Sequence, residues 1–151
     1  MSKWLDHADL LATRIRDQVS WCLASVPEAT RVPVIVDRKL DIANLITQTA
    51  ARAAGASVVI TWTGAKNPDP DANVLKTGSE YSIACMTRPI IKDSLVTCDQ
   101  LTEDVADSIH GWQPTLATPA LRPRRLRVLD IDLVPHRSVL IYEISAEILR
   151  L

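Results

Sequence analysis

The C-terminal part of the chain alternates. Polar and apolar residues take turns from Arg125 to Leu133 and again from Val139 to Ile148, and the group Val134-Pro135-His136-Arg137-Ser138 separates the two runs. A period of two sends successive side chains to opposite faces of a strand, so two such runs across a short proline-containing turn predict an antiparallel hairpin. On the first strand Leu129, Ile131 and Leu133 are expected to share a face. On the second, Leu140, Tyr142, Ile144, Ala146 and Ile148 are expected to face inward, with Glu143, Ser145 and Glu147 outward. A lone hairpin is at best marginally stable in water. The rest of the chain must therefore provide further strands and something to cover them.

Both are legible. Ser57 to Thr63 is β-branched and aromatic and reads as a strand ending at Gly64, followed by a long exposed loop from Gly64 to Asn73. Ser79 to Ile91 puts Tyr81, Ile83, Cys85 and Thr87 on one face and Ser82, Ala84, Met86 and Arg88 on the other, which predicts a central antiparallel strand. Ahead of these, Trp4, Ala8, Leu11, Ile15, Val19, Cys22 and Val26 recur in steps of three and four, the stripe of a helix that Pro27 stops. Val32 to Val36 is a short strand, and Asp37 to Asp41 turns the chain. Asp41 is placed to cap a second helix with the face Ile42, Leu45, Ile46, Thr49, Ala50 and Ala53, and Gly55 is placed to end it. Thr97-Cys98-Asp99-Gln100 has the spacing of a capping box before the stripe Leu101, Val105, Ile109 and Trp112. Gln113 to Pro123 carries Pro114, Pro119 and Pro123 and reads as an extended connection. The expected fold is α+β: an antiparallel or mixed β-sheet packed against helices on one face. At 151 residues, 1–151 forms a single domain able to bury its own core.

Composition narrows function by exclusion. Lys+Arg 17 against Asp+Glu 18 leaves no broad basic field for nucleic acid or an anionic membrane. The three cysteines, Cys22, Cys85 and Cys98, are odd in number and widely spaced, so they suit neither a disulfide framework nor a Cys-x-x-Cys motif. Reduced thiols inside a cell are the simplest reading. The start of the chain has no secretory apolar stretch, and no run reaches the roughly 20 apolar residues of a membrane span. A soluble protein made in the cytoplasm is expected. The four glycines are too scattered to cradle phosphates. His7, expected on the polar side of the first helix, His110 at a helix end and His136 in a turn stand in no catalytic signature. Asp130 and Asp132 project from the same side of one strand, and with Asp69 and Asp71 they have the chemistry for a divalent cation, but no Glu or His partner stands at diagnostic spacing. No metal, no cofactor and no enzymatic activity are expected. Arg122, Arg124, Arg125 and Arg127 form the main concentration of charge, suited to phosphates or to carboxylates on a protein partner. No aromatic residue interleaves them as in a single-strand binding groove.

The layout resembles a known family. The N-terminal amphipathic helix, the long loop, the strand Tyr81-Ser82-Ile83-Ala84-Cys85-Met86, the helix closing on His110-Gly111-Trp112-Gln113-Pro114 and the strand Val139-Leu140-Ile141-Tyr142-Glu143-Ile144 are together similar to the tail terminator, or tail-completion, proteins of tailed bacteriophages. The segment from Ala29 to Gly55 departs from the shorter members of that family, and head-tail connector and stopper proteins of the neck share related folds. The resemblance implies a virion protein at the tail–neck junction. It would form a homo-hexameric ring on the head-proximal end of the tail tube, stop tube polymerisation and meet the neck, with genomic DNA only passing through the lumen. The interface residues expected on this reading are Lys66, Asp69 and Asp71 in the loop, and Arg122, Arg124, Arg125 and Arg127. Within virion assembly the alternative is a head-tail connector or stopper protein of the neck; from another class, it is a small DNA-associated protein using the Arg122 to Arg127 patch.

Overall fold

The computed structural model describes residues 3–38, 41–51, 54–66, 78–88, 96–114, 124–137 and 139–150. The elements follow the expected order: α1 (Lys3–Gln18), a 3-10 turn (Ser20–Cys22), β1 (Val34–Val36), α2 (Ile42–Ala51), β2 (Ala56–Lys66), β3 (Gly78–Thr87), α3 (Cys98–Ile109), β4 (Arg124–Val134) and β5 (Leu140–Arg150). The strands make one mixed five-stranded sheet in the order β1-β2-β3-β5-β4. β1 runs parallel to β2, and every other pair is antiparallel. β3 sits at the centre, between β2 and β5, as its two-faced pattern predicts. The fold is α+β.

The helices cover both faces of this sheet, not one as expected. The larger core holds Ala8, Leu11 and Ile15 of α1 and Leu101, Val105 and Ile109 of α3 against Val58, Ile60, Ile83, Cys85 and Ile144. A second cluster places Ile46 and Leu45 of α2 with Val59, Ala84, Met86, Val139 and Ile141. Adjacent residues of one strand point to opposite faces, so α2 lies across the sheet from α1 and α3. The signal is the unbroken run Val58-Val59-Ile60, which has no polar side to leave in water.

Several local expectations hold. Asp41 Oδ1 accepts the Asn44 N–H at 3.4 Å, and Gly55 adopts φ 65° after α2. Thr97 Oγ1 accepts the Gln100 N–H at 3.2 Å, but the Gln100 amide donates to Asp104 and does not complete the box. Others are corrected. α1 stops at Gln18, and Val19 is extended (φ −86°, ψ 120°) before the 3-10 turn, because Val19 and Ser20 are weak helix formers. The stripe survives the break, since Val19 and Cys22 are both buried. His7 is buried rather than solvated; it stands one helical turn before Leu11, at the margin of the apolar stripe. Strand β2 does not end at Gly64 but passes it through a bulge and continues to Lys66, opposite Gly78. A second bulge, between Val128 and Asp130, separates Leu129 from the face of Ile131 and Leu133. The helix face expected at Ile42 is 41% exposed there, one turn beyond the sheet contact.

Gly111 follows α3 at φ 79°, and open space surrounds the position a Cβ would take. Gly111→Ala is therefore expected to cost about 1–2 kcal/mol from backbone conformation alone. Urea denaturation measures it, and an unchanged midpoint would show that the turn accommodates a side chain.

Candidate functional site

Strand β4 is one edge of the sheet, and its two halves differ. In the first half the turn after α3 acts as a short partner. Gly111 N–H donates to Leu126 O at 2.9 Å, Leu126 N–H to Trp112 O at 2.8 Å, and Val128 N–H to His110 Nδ1 at 3.2 Å. Past the bulge, among the described residues, no segment pairs with the outer side of Asp130 to Val134. That open half carries the most exposed large apolar residues of the described chain, with Leu129 42%, Ile131 46% and Leu133 58% exposed and Leu140 41% exposed on the adjacent strand. Leu140 was expected to face inward. It lies on the α3 side of the sheet, where Cys98 at the start of α3 donates to its carbonyl at 3.6 Å, but its side chain is left exposed.

Between this half-edge and α3 runs an open groove of about 350 Å³, lined by Ile131, Tyr142, Ala106, Thr102, Asp99, Glu103 and Asp107. The three carboxylates recur at steps of four, which places them on one side of α3. Asp99 also holds the Tyr142 hydroxyl protonated, through a hydrogen bond and its negative charge. α3 has no Lys or Arg. Asp130 and Asp132 are exposed and share the opposite face of β4, as their spacing predicts. The rim on both sides of the apolar strip is acidic.

Across the sheet a second depression, about 330 Å³, is lined by Thr63, Glu80, Ser82, Leu129, Glu143 and Ser145 among others. Here the outward residues of β5 lie as expected. The register aligns Thr61, Ser82, Ser145 and Asp130 in one row and Glu80, Glu147 and Arg127 in another. Arg127 donates to Glu147 through Nε at 3.0 Å and through Nη2, closing an ion pair across β4 and β5.

The expected interface residues separate as follows. Asp69, Asp71 and Arg122 lie outside the described residues. Lys66 ends β2, and Arg124 begins β4 opposite Arg150; of their side chains only the sequence speaks. Arg125 is exposed, and Arg127 is exposed but engaged by Glu147. The register brings the end of β2, the start of β3, the end of β5 and the start of β4 to one end of the sheet, so Lys66 and the arginine segment share that end. The acidic, apolar half of β4 lies towards the other. From sequence, Asp130 and Asp132 are weighed as cation ligands and not as an interface, although Leu129-Asp130-Ile131-Asp132-Leu133 carries that signal: apolar residues alternating with carboxylates in an edge strand.

The remaining reactive groups belong to the framework. His136 is exposed in the hairpin turn, and the exposed His110 serves as the acceptor for Val128. Among the described residues no group of His, Cys, Asp and Glu has the arrangement of a metal site, and no helix is long and apolar enough to cross a membrane. All three cysteines are free and buried. Cys98 Sγ donates to Cys85 O at 3.2 Å. Burial pushes the Cys22 thiol up to about 12 and raises Cys85 and Cys98 as well. Such thiols stay protonated and unreactive.

A pH dependence follows. With folded values above the ordinary 9.0, stability holds below that value and falls as pH rises through it, because the unfolded chain releases protons that the folded chain keeps. The slope is up to about 1.4 kcal/mol per pH unit for each thiol. Cys22→Ala should make the loss between about pH 9 and pH 11 shallower, as read from urea midpoints. An identical slope in that variant would show that Cys22 is not the group titrating.

No family model matches the chain, and no curated protein does.

Proposed function

We propose that the chain is a non-enzymatic structural subunit of the tail-terminator kind, assembling as a ring that caps the head-proximal end of a phage tail tube and offers a surface to the neck. The observation that carries this reading is the open half of β4. Ile131 and Leu133 stand exposed on a sheet edge beside an acidic groove, with Leu129 exposed on the other face of the strand, a combination that suits contact with another protein better than isolation in water. The order of elements, with the helix closing on the Gly-Trp turn and the terminal hairpin, is that of the resemblance. A ring of identical subunits needs two different surfaces that fit each other. The arginine segment and the acidic half-edge, towards opposite ends of β4, supply two of opposite sign.

The same observations favour protein over DNA as the arginines' partner. Arg127 is held by Glu147, and Asp130 and Asp132 follow on the same strand face, so the local field is mixed in sign. Solution mass by light scattering, across concentration and salt and with or without purified tail tubes, tests the reading. Electron microscopy then defines the largest species. A closed ring, alone or on tube ends, is expected. A monomer that ignores tubes and binds DNA with steep salt dependence would replace this reading with the nucleic-acid one.

A further inference from the structure

We infer that the open half of β4 and the adjoining α3 groove receive the arginine segment of a second copy of the chain, Arg125 lying against the acidic rim and Ile131 and Leu133 against its apolar stem. The inference rests on the ring reading above and names the two surfaces that meet.

Three properties of the half-edge select the occupant. It is acidic on both sides: Asp99, Glu103 and Asp107 border the groove, and Asp130 and Asp132 border the other face of the strand. That arrangement repels its own twin, because antiparallel pairing of Asp130–Val134 with the same segment of another copy would set carboxylate beside carboxylate. It is also apolar along its middle, where Ile131 and Leu133 stand 46% and 58% exposed. A complementary segment must therefore combine positive charge with apolar surface, and the three-carbon stem of arginine does both.

This chain carries such a segment on a different part of its surface. Arg124 and Arg125 start β4 at the end of the sheet away from the groove, and Arg125 is exposed. Arg127 is excluded from the contact, since Glu147 already holds it. The two surfaces cannot meet within one chain, because rigid β4 itself separates them. Between copies they make a head-to-tail contact, the kind that closes a ring.

Reciprocal charge reversal tests the pairing. Two variants, R124E/R125E and D130R/D132R, are prepared, together with the fourfold variant that combines them. Association is read by sedimentation and electron microscopy, and folding by urea midpoint. R124E/R125E sets like charges against the whole acidic rim and D130R/D132R reverses its β4 side, so each association midpoint should move up by about tenfold or more. An equimolar mixture of the two restores opposite charges at both junctions and should return assembly to the wild-type range, as should the fourfold variant. Wild-type rings with double variants that assemble equally well, or a mixture that fails to recover, would overturn this pairing and leave the ring reading standing. A wild-type chain that stays monomeric at every concentration, with and without tubes, would overturn both. Urea midpoints matching wild type establish that a loss of assembly is not a loss of folding.

Discussion

Leu101→Ala lowers the unfolding free energy by about 2–5 kcal/mol, the range for a leucine removed from a core that cannot collapse around the gap. Leu101 is fully buried on α3, in the cluster that also holds Ile83, Cys85 and Ile144 of the sheet. It is the first residue of the stripe that fastens α3 across β3 and β5. The same truncation at Leu133, 58% exposed on β4, should cost under about 0.5 kcal/mol. Urea unfolding followed by tryptophan fluorescence separates the two. Equal losses would mean that Leu133 is covered in the isolated chain and that the open edge does not exist in solution.

Thr49→Val lowers stability by about 1–3 kcal/mol through a hydroxyl it leaves behind. Thr49 Oγ1 donates to Leu45 O at 2.8 Å and stands 2.5 Å from Ser57 Oγ, joining α2 to β2. With the Thr49 proton directed along its own helix, Ser57 is the donor between them. Both side chains are buried, so valine strands the Ser57 hydroxyl without an acceptor. Adding Ser57→Ala removes the stranded group and should recover most of the loss, because two apolar replacements leave no unmet partner. A double variant as unstable as the sum of the two single ones would show that the residues act independently.

These residues also show what could be read in advance. The stripe Leu101, Val105 and Ile109 and the cap at Thr97 are local patterns, and they specify α3 without knowledge of the fold. The central position of β3 follows from its two apolar faces. The position of α2 across the sheet is legible in Val58-Val59-Ile60, an apolar run that leaves neither face of β2 for water, although an antiparallel sheet commonly keeps one face wet. The bulges at Thr63 and Leu129 were not legible, because an inserted residue is defined by its partner strand and not by its own sequence. For the same reason Leu129, Ile131 and Leu133 read as one face. The acidic half-edge was not legible either, because its carboxylates are divided between α3 and β4, which only the folded chain brings together.

The turn at Gly111 and Trp112 has a consequence for how large an assembly can grow. It occupies the backbone of β4 at Leu126, and His110 takes the N–H of Val128. At the other edge of the sheet Pro33 O and Asp37 N–H face β2, so Val34 O points away from it, and there the Arg16 guanidinium donates to it at 2.5 Å. Among the described residues the outer side of Asp130 to Val134 is a short open stretch, and elsewhere on these margins the Gly111–Trp112 turn and Arg16 interrupt the ladder by which one sheet could extend into the next. On the ring reading proposed above, copies would recognise one another through side chains, and a head-to-tail contact of that kind closes a ring where its rotation allows, whereas a shared ladder would end in fibres.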